Sequence, residues 1–201
     1  VKKIKVARII ARLNIGGPAI HTVILSKALN NKEYSTMLVT GKVSGSEGDM
    51  IYLARTAGVE PVIIPEMERE ISFMKDLTAF FKLVSILKAE KPDIIHTHTA
   101  KAGALGRAAA IFAGVPVRIH TFHGHVFDGY FSPLKAKIFI MIERFLALFT
   151  TRVVVVSERV RDEIIGKLRI TSPDKWSVIK LGLDLDKFLK SDRSTGSLRN
   201  N

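Results

Sequence analysis

Short apolar runs alternating with longer helical stretches predict an α/β protein: a Rossmann-like parallel sheet of about seven strands with helices on both faces. Two features carry that expectation. The runs are rich in β-branched residues and several, such as Val153-Val154-Val155-Val156, are apolar without alternation, as suits a strand buried on both faces. Between them lie segments with apolar residues three and four apart, bounded by Gly, Pro and Ser.

The elements follow in order. Residues 6–13 form a first strand, and the turn Asn14-Ile15-Gly16-Gly17-Pro18 leads into a helix whose inner face carries Ile20, Val23, Ile24 and Ala28. Residues 37–40 are a second strand, 41–48 a Gly- and Ser-rich loop, and 50–57 a short helix closed by Gly58. The third strand, 61–65, has prolines at its ends, where no ladder donor is lost. A long amphipathic helix places Phe73, Leu77, Phe80, Phe81, Val84 and Leu87 on one stripe and Lys75, Lys82 and Lys88 toward water. Strand four (93–96), a helix (102–113), strand five (117–121), a helix (134–149), strand six (152–156), a helix with Ser157 as N-cap (158–168) and a strand over 176–181 complete the series. The segment 122–133 has no period, and the tail 189–201 reads as a polar linker or disordered stretch after a domain spanning 1–188.

Composition narrows the function. Thirty-one Lys and Arg against 19 Asp and Glu give a net charge of +12, so anionic partners are expected. With no Cys there are no disulfides, thiolate nucleophiles or Cys-based zinc sites. The most apolar stretch, 138–149, is broken by Glu143 and Arg144, too short for a bilayer, and a cytoplasmic protein is expected. Nucleic acid is not an expected partner, because neither a recognition helix nor an aromatic-basic platform is evident.

In a parallel sheet the ligand sits beyond the carboxyl ends of the strands, here residues 14–18, 40–48, 97–103 and 122–131. Gly16-Gly17 lets a phosphate approach a helix N-terminus, or simply makes a tight turn. Five of six histidines, His96, His98, His120, His123 and His125, fall near the ends of strands four and five. Spacing of two points each pair, 96/98 and 123/125, to one side. They suit polar recognition and charge stabilisation in a sugar or phosphate pocket; a metal site is the competing reading, with Asp128 as the one carboxylate nearby. His96 and His120, inside strands, are also explained as hydrogen-bonded core residues. Lys101 and Arg107 flank the small-residue helix start 102–106, which makes sense if an anion binds there. Phe127, Tyr130 and Phe131 with Lys135, Lys137 and the run 138–149 read either as a basic membrane-facing surface or, more simply for the run, as a core helix.

The turn Asn14-Ile15-Gly16-Gly17, the segment Asp93-Ile94-Ile95-His96-Thr97-His98, the loop Thr121-Phe122-His123-Gly124-His125, the strand-helix junction Val154-Val155-Val156-Ser157-Glu158 and the end Val178-Ile179-Lys180-Leu181-Gly182-Leu183-Asp184 occur in that order. Together, over residues 4–188, they resemble the N-terminal domain of a GT-B retaining glycosyltransferase of family four. The resemblance implies one half of a two-domain enzyme, with a nucleotide-diphosphate sugar as donor, a lipid-linked or saccharide acceptor, no metal and no other cofactor. It places Gly16 and Gly17 near the donor diphosphate and His123, as the catalytic residue, near the transferred sugar. His98, Lys101, Arg107 and His125 are the expected acceptor-binding set. The donor-binding C-terminal domain of such enzymes has no counterpart in this sequence, so the chain alone is expected to be inactive. An anionic membrane surface is an expected partner. A non-catalytic module that recruits acceptor to a donor-binding partner is the alternative, and a His-rich metallohydrolase a third reading.

Overall fold

The computed structural model describes residues 2–43, 48–124 and 133–182. Seven parallel strands form one sheet in the order β3-β2-β1-β4-β5-β6-β7, with β1 at Ile4–Arg12, β2 at Tyr34–Gly41, β3 at Pro61–Ile64, β4 at Ile94–His98, β5 at Val117–Phe122, β6 at Arg152–Val155 and β7 at Trp176–Val178. The helices are α1 (Gly17–Ala28), α2 (Ile51–Thr56), α3 (Phe73–Glu90), α4 (Ala100–Phe112), α5 (Pro133–Leu148) and α6 (Glu158–Arg161). The expected α/β architecture is therefore present. The helix expected over 158–168 is regular for only one turn, capped by Ser157 accepting from the Val160 N–H, and continues as a π-helical turn, Asp162–Lys167. The tail 189–201 lies outside the described residues.

Strand order reverses between β1 and β4, which puts the topological switch point at their carboxyl ends. Both strands are central, and β1 is buried from Val6 to Ala11. Its alternate residues serve two layers. Ala7, Ile9 and Ala11 join Leu83 and Leu87 of α3 and Ala102 and Ala109 of α4, whereas Ile10 joins Ala19 and Val23 of α1 and Ala54 of α2. Register then fixes what faces what: Arg8 pairs with His96, Ile10 with His98, and His98 with Thr121. Arg8, His96, His98 and Thr121 consequently share the α1 side of the sheet. Thr97 and its neighbour His120 take the α4 side. No helix among the described residues is long and apolar enough to cross a membrane.

Candidate functional site

β4 runs two residues further than expected, to His98, and this extension builds the site. His98 is fully buried, and its Nδ1 lies 3.0 Å from Nε2 of His123, just beyond β5. Only one proton can occupy that contact, so the two rings act as a pair. If His98 donates, its Nε2 is bare and His123 carries Nδ1–H; if His123 donates, both outer atoms reverse. Either way the pair offers one donor and one acceptor. Those outer atoms, His98 Nε2 and His123 Nδ1, are buried with no hydrogen-bond partner among the described residues. His21, half-buried on α1, sets its ring 5.4 Å edge-on from that of His123 and has an unpartnered Nδ1 of its own.

Beneath the pair the polar groups are fixed. An arginine only donates, so the Arg8 Nη1 contact of 2.8 Å makes His96 Nδ1 an acceptor. The His96 proton then sits on Nε2 and is donated to Thr121 Oγ1 at 2.7 Å. The rings of His96 and His98 lie 4.3 Å apart. Next to His98, Thr99 has a φ of +67°, a left-handed conformation that a β-branched residue avoids. Such strain at a strand end is characteristic of binding and catalytic sites. His96, with both ring nitrogens hydrogen-bonded, is thus the hydrogen-bonded core histidine of one expectation, and its ring lies against that of His98.

Electrostatics keep the cluster uncharged. Burial lowers His98 and His96 well below the usual histidine range, with further lowering from neighbouring imidazoles and the Arg8 guanidinium. Burial, then His21, lowers His123 to about 4. His21 is lowered by burial and by Arg8. Arg8 itself is lowered to about 10 by burial. At neutral pH the site is a set of neutral imidazoles beside one buried cation.

The ligand nitrogens of His21, His98 and His123 lie within 4.8 Å of one another. Zinc would require about 2.0–2.1 Å to each. The His98–His123 contact is already a hydrogen bond, the Arg8 charge lies alongside, and no carboxylate joins the cluster among the described residues. These nitrogens can hydrogen-bond hydroxyl and phosphate oxygens, and the same three could hold a metal ion.

Gly16 and Gly17 stand at the other side of the switch point, where α1 begins. A Cβ on Gly17 would meet nothing within 4 Å, and one on Gly16 only Pro18 Cδ at 3.7 Å. Packing demands neither glycine; what they leave is open space over free helix amides. Gly103 differs, since its Cβ would stand 2.5 Å from the His120 ring.

The remaining expected residues lie elsewhere. His120 faces α4 and bonds Thr97 Oγ1 at 2.9 Å, as expected of a hydrogen-bonded core histidine. Arg107 is fully buried on the α4 side, held by Glu143 of α5 at 2.6 Å and the Gly103 carbonyl at 2.8 Å. That ion pair occupies the guanidinium and removes Arg107 from the acceptor set. Lys101 points to α3, with Nζ 2.5 Å from Asp76. His125, with Phe127, Asp128, Tyr130 and Phe131, falls outside the described residues. Arg8 and His21 were not singled out from the sequence. A charge inside the apolar run Val6–Ala11 was the available signal for Arg8; nothing distinguished His21 before α1 was placed against β4.

A doubly wound sheet with a glycine turn and polar side chains converging at its switch point defines an open α/β domain with a ligand-binding position at that point. The particular family follows from comparison. Residues 15–187 match the model of Glycosyltransferase Family 4, and the chain belongs to that family. It is 34% identical over 186 residues to the UDP-Gal:alpha-D-GlcNAc-diphosphoundecaprenol alpha-1,3-galactosyltransferase of Escherichia coli, covering 92% of this chain and 46% of that protein. It is 28% identical over 130 residues to the capsular polysaccharide biosynthesis glycosyltransferase CapM of Staphylococcus aureus, covering 63% of this chain and 33% of the relative. Among solved structures, a glycosyltransferase from Rickettsia africae superposes with a TM-score of 0.69 at 19% identity, over 94% of this chain and 45% of that one. The chain thus spans about half the length of the curated relatives it matches or less.

Proposed function

We propose that this chain is the acceptor-side half of a retaining glycosyltransferase that moves a sugar from a nucleotide-diphosphate sugar to a lipid-linked or saccharide acceptor, using no metal. The observation that carries the reading is the His98–His123 pair, which holds unpartnered buried nitrogens at the switch point. A neutral pair with one donor and one acceptor matches sugar hydroxyls, which both donate and accept. In this reading His123 orients the transferred sugar and His98 binds acceptor. The open turn at Gly16 and Gly17 lets the diphosphate reach the α1 amides, which stabilise charge as the leaving group departs. Lys101, held by Asp76, and His125, outside the described residues, remain candidates for acceptor binding. The family and the E. coli relative, whose name specifies a diphosphate-lipid acceptor, support this substrate class. The reading places the protein at the cytoplasmic face of a membrane, where such an acceptor is presented.

The test combines the chain with a separately expressed donor-binding half, labelled nucleotide sugars and a lipid-linked acceptor. Turnover in the mixture and in neither half alone is expected. Acceptor binding without turnover in any mixture would instead identify a recruiting module.

A further inference from the structure

Three histidines meet at the switch point from three separate elements: His21 from α1, His98 from the end of β4 and His123 from just beyond β5. Their ring centroids stand 6.1 Å (His21–His98), 5.4 Å (His21–His123) and 5.2 Å (His98–His123) apart, a nearly even triangle. Each ring carries a nitrogen, His21 Nδ1, His98 Nε2 and His123 Nδ1, that is buried without a hydrogen-bond partner among the described residues. A buried polar atom left unpaired costs free energy, so the three together call for a ligand. A single metal ion answers all three at once.

Geometry allows this with a small closure. Around a tetrahedral zinc ion with bonds of about 2.0–2.1 Å, ligand nitrogens stand roughly 3.3 Å apart. One nitrogen from each ring already falls within 4.8 Å of the others, so the widest separation shrinks by roughly 1.5 Å at most. The His98–His123 hydrogen bond is lost in the process. With both outer nitrogens on the ion, the two ring protons would face each other across the 3.0 Å contact, and the rings must part there.

Donor chemistry selects the ion. The cluster offers imidazoles only: no carboxylate joins it among the described residues, and the chain has no Cys. Imidazole suits zinc, copper and nickel, whereas magnesium, calcium and manganese prefer carboxylate, carbonyl and water oxygens. The Arg8 guanidinium opposes any cation here, since it bonds His96, whose ring lies 4.3 Å from that of His98. A neighbouring charge that lowers affinity suits an ion that comes and goes.

We propose that His21, His98 and His123 form a site for a zinc-type transition-metal ion, and that the bound ion shuts the pocket to sugar. Binding needs no assumption about the reaction; the shutting rests on the sugar-transfer reading, in which the metal is an inhibitor and not a cofactor. The first test is calorimetric titration of the tag-free chain with zinc chloride. One ion per chain is expected, with no uptake of magnesium. His21→Ala, at a half-buried helix position, and His98→Ala should each weaken binding by about tenfold or more with unchanged circular dichroism. Arg8→Met should tighten it, because the opposing charge is gone. Absence of zinc binding, equal uptake of magnesium, or binding undiminished in both histidine variants would overturn the site. In the mixture of this chain with its donor-binding half, zinc should lower turnover and a chelator restore it. Zinc held by the cluster with turnover unchanged would overturn the shutting alone, whereas activation by zinc would overturn the metal-free transfer reading as well.

Discussion

Two arginines are buried among the described residues, and their surroundings differ in kind. Arg107 lies between α4 and α5 with a carboxylate at 2.6 Å and a carbonyl at 2.8 Å, so charge and geometry are both answered. Arg8 lies under the switch point with a neutral imidazole as its partner, and its Nε has none among the described residues. The first is the economy of a folded core. The second leaves a cation and several imidazoles with capacity to spare, which is costly for an empty domain and useful for one that receives phosphate and hydroxyl groups. Burial of charge therefore does not by itself identify function; the state of its partners does.

The largest expected effect breaks the satisfied pair. Arg107→Met should lower unfolding free energy by about 3–5 kcal/mol, because it strands Glu143 in the core. Urea denaturation measures this, and a loss below about 1 kcal/mol would place Arg107 with the functional charges instead. Arg8→Met should behave oppositely. Removing a cation with no carboxylate beside it should change stability by no more than about 1 kcal/mol, or raise it. A loss equal to that of Arg107→Met would show that the two sites are alike.

The smallest effect is the pH dependence of stability. Folding holds His123 neutral down to about pH 4, whereas the ordinary value is 6.5, and His98 and His96 are lowered in the same direction. Between those values the unfolded chain binds more protons, so stability should rise with pH from about 4 to 6.5 and be fully present above. Urea midpoints at pH 5 and pH 7 should differ in wild type, and less in His98→Asn/His123→Asn. Arg8→Met should also flatten the slope slightly, since burial outranks Arg8 as the cause. An unchanged slope in the double histidine variant would contradict the neutral cluster.

The sheet was legible because strand composition and helical period repeat along the whole chain, and because the β1–α1 glycines and Ser157 mark element boundaries. The site was legible in part. Spacing of two rightly put His96 and His98 on one side, but no one-dimensional pattern states which face of the sheet a second strand presents. Register alone turns His120 away, because it pairs with Thr97 rather than His98. Arg107 was misplaced for a related reason: its partner Glu143 is 36 residues distant, and only packing of α4 on α5 brings them together. Likewise α5 looked like a core helix because apolar letters dominate both its faces, and its neighbours cover just one.

The claim that the His98–His123 pair is the working part of a sugar-transfer site is tested most directly by turnover of the chain combined with its donor-binding half, comparing wild type with His123→Ala. Turnover should fall by more than about tenfold while the melting temperature holds. Wild-type turnover in a folded His123→Ala protein would contradict it.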